Sequence, residues 1–295
     1  MKSLVKTPAA RTALEGWYQT IRSRIPAKTT ERRVPTRYGE THVLVGGPED
    51  GPPVVVLHGA LASSALVLRE IAPLLSTFRV HAVDIIGQSV KSAEVRPSVS
   101  DNSYGIWLAE VMEGLGLAKA HVIAVSYGGF VALRLAAHAP ERIDRLVLLV
   151  PAGMVSGPPL DGFFKLGLPM LLYRAFPSEK RLERSVQHLL TTVGDDWTHY
   201  LGEAFRGIDL DMRIPPLAKP EELASLTAPT LVIGADKDLS FPGRKLLDRA
   251  AKVLPNLKDT ELIENCLHCP PTTDEFRAWL SGRISRFLLD ARWSQ

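Results

Sequence analysis

One serine in this sequence is set up to act as a nucleophile. Ser126 closes the apolar run Val122-Ile123-Ala124-Val125 and is followed by Tyr127-Gly128-Gly129-Phe130. A strand that runs into a serine and turns at once into a helix holds the hydroxyl out on a sharp, strained turn. Strand and helix crowd together there, so small residues are needed two positions before and two after the serine. Ala124 and Gly128 fill them. The helix that follows points its N-terminus at the serine, which favours negative charge developing beside it. A plain turn serine satisfies the same local pattern, so the motif alone is only moderately specific.

A serine hydroxyl needs a base at neutral pH. His268 lies in Glu264-Asn265-Cys266-Leu267-His268-Cys269-Pro270, after the last apolar run and before the final helical segment. Its second ring nitrogen needs a carboxylate, which would hold the tautomer and stabilise the charged ring. Asp236 and Asp238 both follow the apolar run Thr230-Leu231-Val232-Ile233, and the local sequence leaves the choice between them open. Serine, acid, histidine is a chain order used by hydrolases with this kind of turn. A tetrahedral intermediate also needs two backbone N–H donors for its oxyanion, each worth about 3 kcal/mol. The amide of Tyr127 is one candidate. The other is the amide of Ala60, in the strand-end loop Leu57-His58-Gly59-Ala60-Leu61.

Five other residues compete for chemical roles. His58 could be a base, but a histidine at a strand end more often bonds the loop backbone. Asp84, in Val83-Asp84-Ile85-Ile86-Gly87, reads better as a carboxylate capping turn amides than as the acid. Ser89 has no strand-to-helix turn around it. Cys266 and Cys269 form a C-x-x-C pair, a spacing used by redox and zinc sites. There is no second pair, so neither a metal nor a redox role is expected.

These residues need elements to hold them. Short runs rich in Val and Ile recur at residues 54–57, 80–83, 121–125, 146–150, 230–233 and 260–263. Strands covered by helices on both faces look like this. Helical patterns lie between them, at residues 103–115 and 129–138. This alternation predicts a mostly parallel, doubly wound α/β sheet. Residues 31–38 and 41–45 read as an antiparallel edge hairpin. Residues 7–25 read as an amphipathic helix with Leu14, Trp17 and Ile21 on its apolar side, stopped by Pro26. The alternation breaks between about residues 153 and 223, where helical segments at 163–176, 179–191 and 195–205 have no clear strand among them. The expected organisation is an N-terminal segment (1–30), a core in two parts (31–153 and 224–295), and a helical cap (154–223) between the parts.

Composition narrows the function class. The chain has 295 residues, 45% hydrophobic and 23% charged, enough for a sizeable core without disulfides or metals. Its 35 basic and 32 acidic residues are interspersed, for a net charge of +3, with no dense basic stripe for nucleic acid. No apolar run reads as a signal peptide or a membrane span, so a cytoplasmic location with no membrane partner is the expectation.

At the residues quoted, the chain resembles α/β-hydrolases from about residue 32 to 290, and within them bacterial carboxylesterases of the NP type. The resemblance rests on Tyr38-Gly39-Glu40-Thr41-His42-Val43, Leu57-His58-Gly59-Ala60-Leu61, Ala82-Val83-Asp84-Ile85-Ile86-Gly87 and the turn at Ser126. It implies Ser126 as nucleophile, His268 as base and Asp238, rather than Asp236, as acid. It also implies a carboxylic ester substrate, an acyl-enzyme intermediate and no cofactor. The chain departs from the family's habit at Ala124, Ala235 and Leu267, where glycine is usual. Dehalogenases and epoxide hydrolases of this fold use an aspartate nucleophile, so Ser126 argues against both. Cleavage of a C–C bond, lactone or amide on the same triad is the alternative reading, and a low-turnover small-molecule binder the third. A homodimer is left open.

Overall fold

The computed structural model describes residues 3–293. Helix α1 (Pro8–Ser23) starts where Thr7 accepts the amide of Ala10 through its side chain and Pro8 occupies the first turn. A proline is preorganised there, because its missing N–H would have had no helical partner. Leu14, Tyr18 and Ile21 are buried. Trp17, expected on the apolar stripe, is only half-buried, and the helix ends at Ser23, three residues before Pro26.

Strands β1 (Thr29–Thr36) and β2 (Gly39–Gly46) form the antiparallel hairpin. Gly39 sits at φ +114°, a turn conformation that side chains resist. Strand β3 (Pro53–Leu57), helix α2 (Ser64–Glu70) and strand β4 (Arg79–Val83) follow. Next come α3 (Ser103–Gly114), β5 (Ala120–Val125), α4 (Tyr127–His138) and β6 (Ile143–Leu149). The sheet runs β1-β2-β4-β3-β5-β6 and is completed, beyond an insertion, by β7 (Thr230–Ala235) and β8 (Leu257–Ile263). The hairpin and the β2–β4 pair are antiparallel; every other pair is parallel. This is the α/β doubly wound sheet that the alternation predicted.

Side chains alternate across a strand, so each apolar run feeds two cores. Val54, Val56, Ile123, Val147, Leu149, Leu231 and Ile233 face one, shared with α1, α2 and the last helix, α10 (Asp274–Leu288). Val55, Leu57, Val122, Leu146, Leu148 and Val232 face the other, shared with α3, α4 and α9 (Gly243–Val253). Burying each such side chain contributes about 1.5–3 kcal/mol.

The insertion between β6 and β7 is helical. It contains α5 (Pro159–Gly162), a π-helical turn (Phe163–Gly167), α6 (Leu168–Ala175), α7 (Glu179–Val186) and α8 (Asp196–Gly207). One expectation needs correction. The helix read over 179–191 stops at Val186, because Leu190 instead pairs with Cys269 in a parallel bridge. The apolar stretch 163–173 is mostly open to solvent. Phe163, Phe164, Leu171 and Leu172 are 46–59% exposed, and only Tyr173 is buried. Among the described residues, no helix is long and apolar enough to cross a membrane.

Candidate functional site

The turn between β5 and α4 has the geometry its sequence required. Ser126 sits at φ 51°, ψ −116°, a region an L residue occupies only under constraint. The constraint comes from the end of β6. Ser126 donates its amide to the Leu149 carbonyl (3.0 Å), and its own carbonyl accepts from Ala152 (2.9 Å). A Cβ on Gly128 would lie 2.6 Å from the Leu57 carbonyl oxygen, so glycine is obligatory there. Ala124 is fully buried and accommodated.

The sheet brings three chemical groups together. Strand β7 ends in the loop carrying Asp238, β8 ends in the loop carrying His268, and both loops open where β5 delivers Ser126. His268 Nε2 lies 2.9 Å from Ser126 Oγ, and Nδ1 lies 2.8 Å from Asp238 Oδ2. The other carboxylate oxygen, Oδ1, accepts from the amides of Ser240 (2.7 Å) and Phe241 (3.1 Å). Burial pushes the Asp238 pKa up, but attraction to His268 and these hydrogen bonds outweigh it and leave the carboxyl below its usual range. Burial likewise pulls His268 down, but the Asp238 carboxylate outweighs it and raises the imidazole above its usual value. Asp236 does something else. It is exposed, and its Oδ1 accepts the amide of Cys266 (2.9 Å), bracing the His268 loop from outside.

Tyr127 follows Ser126 in the chain, and Ala60 lines the same cavity as Ser126. Neither residue's amide bonds to a backbone or side-chain acceptor among the described residues. The Ala60 loop is close, since a Cβ on Gly59 would lie 3.7 Å from Ser126 Oγ.

His58 has the structural role its position suggested. Its Nε2 accepts the amide of Ile85 (2.9 Å), so Nδ1–H donates to the Gly59 carbonyl (2.7 Å). Burial lowers its pKa, which keeps the ring neutral. Asp84 corrects the expectation of a turn cap. It is fully buried, but the amide it takes is that of Ser64 in α2 (2.9 Å), not one of its own turn. Its other partners are the hydroxyls of Ser64 (2.5 Å) and Ser89 (2.6 Å) and His42 Nδ1 (2.7 Å). The hub ties β2, the end of β4 and α2 together. Cys266 and Cys269 are free thiols, and burial pushes both pKa values up, that of Cys266 to about 11. Such thiols stay protonated and weakly nucleophilic at neutral pH.

Ser126 and His268 open onto an apolar cavity of about 290 Å³, near the lower end of ligand-pocket sizes. Leu189, Trp197, Leu201 and Phe205 of the insertion line it, with Val67 and Phe276 from the core. The stretch 163–173 contributes nothing to the lining. Sequence reading missed Trp197, Tyr200 and Glu70 as site residues. Trp197 Nε1 donates to Glu70 Oε1 (3.1 Å) and Tyr200 Oη donates to the Leu61 carbonyl (2.6 Å). No local pattern announces contacts between residues so far apart in the chain.

A parallel sheet, a strained serine turn after β5, and an acid and a histidine at later strand ends define the class of the α/β-hydrolases. A family model described as alpha/beta hydrolase fold matches residues 52–219, and the chain belongs to that family. The chain is 30% identical over 281 residues to the uncharacterized carboxylesterase nap of Bacillus subtilis strain 168, covering 92% of this chain and 91% of that protein. It is 28% identical to carboxylesterase YbfK of the same strain, covering 82% and 83%. The crystal structure of naproxen esterase (carboxylesterase NP) from Bacillus subtilis superposes with a TM-score of 0.81 at 26% identity, covering 96% and 99% of the two chains.

Proposed function

We propose that the protein hydrolyses carboxylic esters with an apolar acyl or alcohol group, through Ser126, His268 and Asp238. The observation that carries this reading is the hydrogen-bonded chain from Asp238 through His268 to Ser126, 2.8 and 2.9 Å long, facing an apolar cavity. Similarity to carboxylesterases over nearly the whole chain supports the ester as substrate.

The steps follow from the groups. His268 Nδ1–H donates to Asp238, which leaves Nε2 to take the Ser126 proton. Ser126 Oγ adds to the carbonyl carbon, and the carbonyl oxygen becomes an oxyanion held by the amides of Ala60 and Tyr127. The intermediate collapses, His268 returns the proton to the departing alcohol, and an acyl-enzyme remains. Water then gives a proton to His268 and attacks the acyl carbon. The acid leaves and Ser126 regains its proton. The reading needs no cofactor or metal. In it, the helical insertion serves as a cap, with α8 forming one wall of the substrate site.

The test is hydrolysis of p-nitrophenyl esters from acetate to decanoate by wild type and Ser126→Ala. The reading expects turnover by wild type and a loss in the variant on the order of a millionfold, the scale seen for a triad serine in a related mechanism. Equal, slow rates in both would sink it and bring forward lactones, amides and C–C bonds.

A further inference from the structure

The Ala60 loop is held from an unexpected side. Leu61, the residue after Ala60, has φ +60°, the left-handed region that a leucine does not hold without support. The loop's own turn is closed by the Ala62 amide on the Gly59 carbonyl (3.2 Å). The Leu61 carbonyl meets the insertion, where the buried Tyr200 hydroxyl donates to it at 2.6 Å. Tyr200 lies mid-way along α8 and is 4% exposed.

Helix α8 is itself a fixed platform. At its N-terminal end Asp196 pairs with Arg24, beyond α1, and with Arg69 of α2. Trp197 is tied to Glu70, which Arg277 of α10 holds at 3.0 Å. Beyond its C-terminal end Ile208 bridges Val5. A hydroxyl on such a helix is placed by the whole insertion. Burial and the Asp84 charge push its phenol pKa far up, so Tyr200 remains a donor at any working pH.

We propose that Tyr200 is a positioning residue, which through its hydrogen bond to Leu61 fixes the Ala60 amide where the oxyanion forms and so makes an ordered α8 a condition of catalysis. This deepens the proposed function and rests on Ala60 as an oxyanion donor. An oxyanion donor acts on the transition state and little on the bound substrate, so its misplacement lowers kcat and spares KM.

The experiment compares wild type with Tyr200→Phe, which keeps the ring and removes only the hydroxyl. Two rates are measured: phosphonylation of Ser126 by an alkyl fluorophosphonate, and steady-state hydrolysis of p-nitrophenyl butyrate. Phosphonylation passes through the same oxyanion site but needs no ester. The expected result is a fall of about tenfold or more in the phosphonylation rate and in kcat alike, with KM within about twofold; removal of one oxyanion donor outright costs about 10²–10³. Phe205→Leu, also on α8 but against the cavity, is expected to move KM instead. Unchanged rates in Tyr200→Phe, or a loss confined to KM, overturn the proposal. If the variant melts below the assay temperature, amide exchange on the wild type decides. The Ala62 amide should open no faster than the central amides of α8, and much faster opening overturns the coupling. Wild type that is phosphonylated at Ser126 but turns over no ester refutes the ester reading and leaves the Tyr200 comparison intact. Absence of phosphonylation in wild type overturns both.

Discussion

Asp236 and Asp238, two residues apart on one loop, serve opposite sides of it. Asp238 is 3% exposed with Oδ2 2.8 Å from His268 Nδ1, whereas Asp236 faces solvent with Oδ1 on the amide of Cys266 at 2.9 Å. Asp238→Asn keeps the shape but can offer an amide NH2 to Nδ1, favouring the wrong imidazole tautomer. We expect kcat to fall about 10⁴-fold, as in a comparable triad. Asp236→Asn keeps an acceptor oxygen for Cys266, and its kcat/KM should stay within a few-fold of wild type. Steady-state kinetics of the two variants side by side would reverse the assignment if the losses were exchanged.

That pair marks where the sequence stopped being legible. The serine turn was readable because its sterics are local: Gly128 has no room for a Cβ against Leu57, and the sequence must say so. The inner parallel strands were readable because both faces are buried, which forces unbroken runs such as 54–57. Asp236 and Asp238 each satisfy the local rule for a strand-end carboxylate, and only the path of the β8 loop separates them. Asp84 was misjudged for the same reason, since three of its four donors come from β2 and α2, distant in sequence. Tyr200 and Trp197 sat in a helix whose pattern was visible, but a pattern gives no partner. The stretch 163–173 adds another limit: it is apolar in composition yet mostly exposed, because apolar composition reports a capacity for burial and not burial itself.

The pH profile should carry the signature of the His268–Asp238 pair. The raised imidazole pKa means that the base is protonated, and inactive, below a pKa lying above the usual histidine value. Activity is therefore expected to climb through that pKa as pH rises and then level off. In the Asp238→Asn variant the carboxylate attraction is gone while burial remains. The acid limb of its residual activity should then move to lower pH. A limb unmoved by this substitution would mean that another group controls the profile.

Asp84 makes a separate prediction about stability. Burial disfavours its charge, but His42 and the Ser64 hydroxyl overcome this and hold its pKa below the usual value. A carboxyl depressed in the folded state stabilises the protein above its unfolded pKa, and that contribution is lost as pH falls through the folded value. Asp84→Ala removes the acceptor for four donors and should cost about 3–5 kcal/mol at neutral pH. The deficit against wild type should narrow in acid. Urea titrations at pH 7 and at about pH 3, below the ordinary aspartate pKa, test this, and an equal deficit at both would separate the hub from the charge of Asp84.

The cavity wall predicts how substrate choice can be changed. Leu189 follows α7, lines the cavity with its side chain and is only half-buried, so Leu189→Ala opens space without hollowing the core. Its backbone carbonyl, which accepts the Cys269 amide at 2.8 Å, is untouched by the change. Each added methylene that finds apolar surface contributes about 0.8 kcal/mol, roughly fourfold in kcat/KM. Wild type, with about 290 Å³, should peak at short to medium chains of the p-nitrophenyl series. The variant should peak some two carbons longer, mostly through KM, because the extra contact is made equally by bound substrate and transition state. If the chain-length profile keeps its shape and only its height changes, Leu189 does not bound the site, and the substrate chain leaves Ser126 by the wall that Val67 and Phe276 form instead.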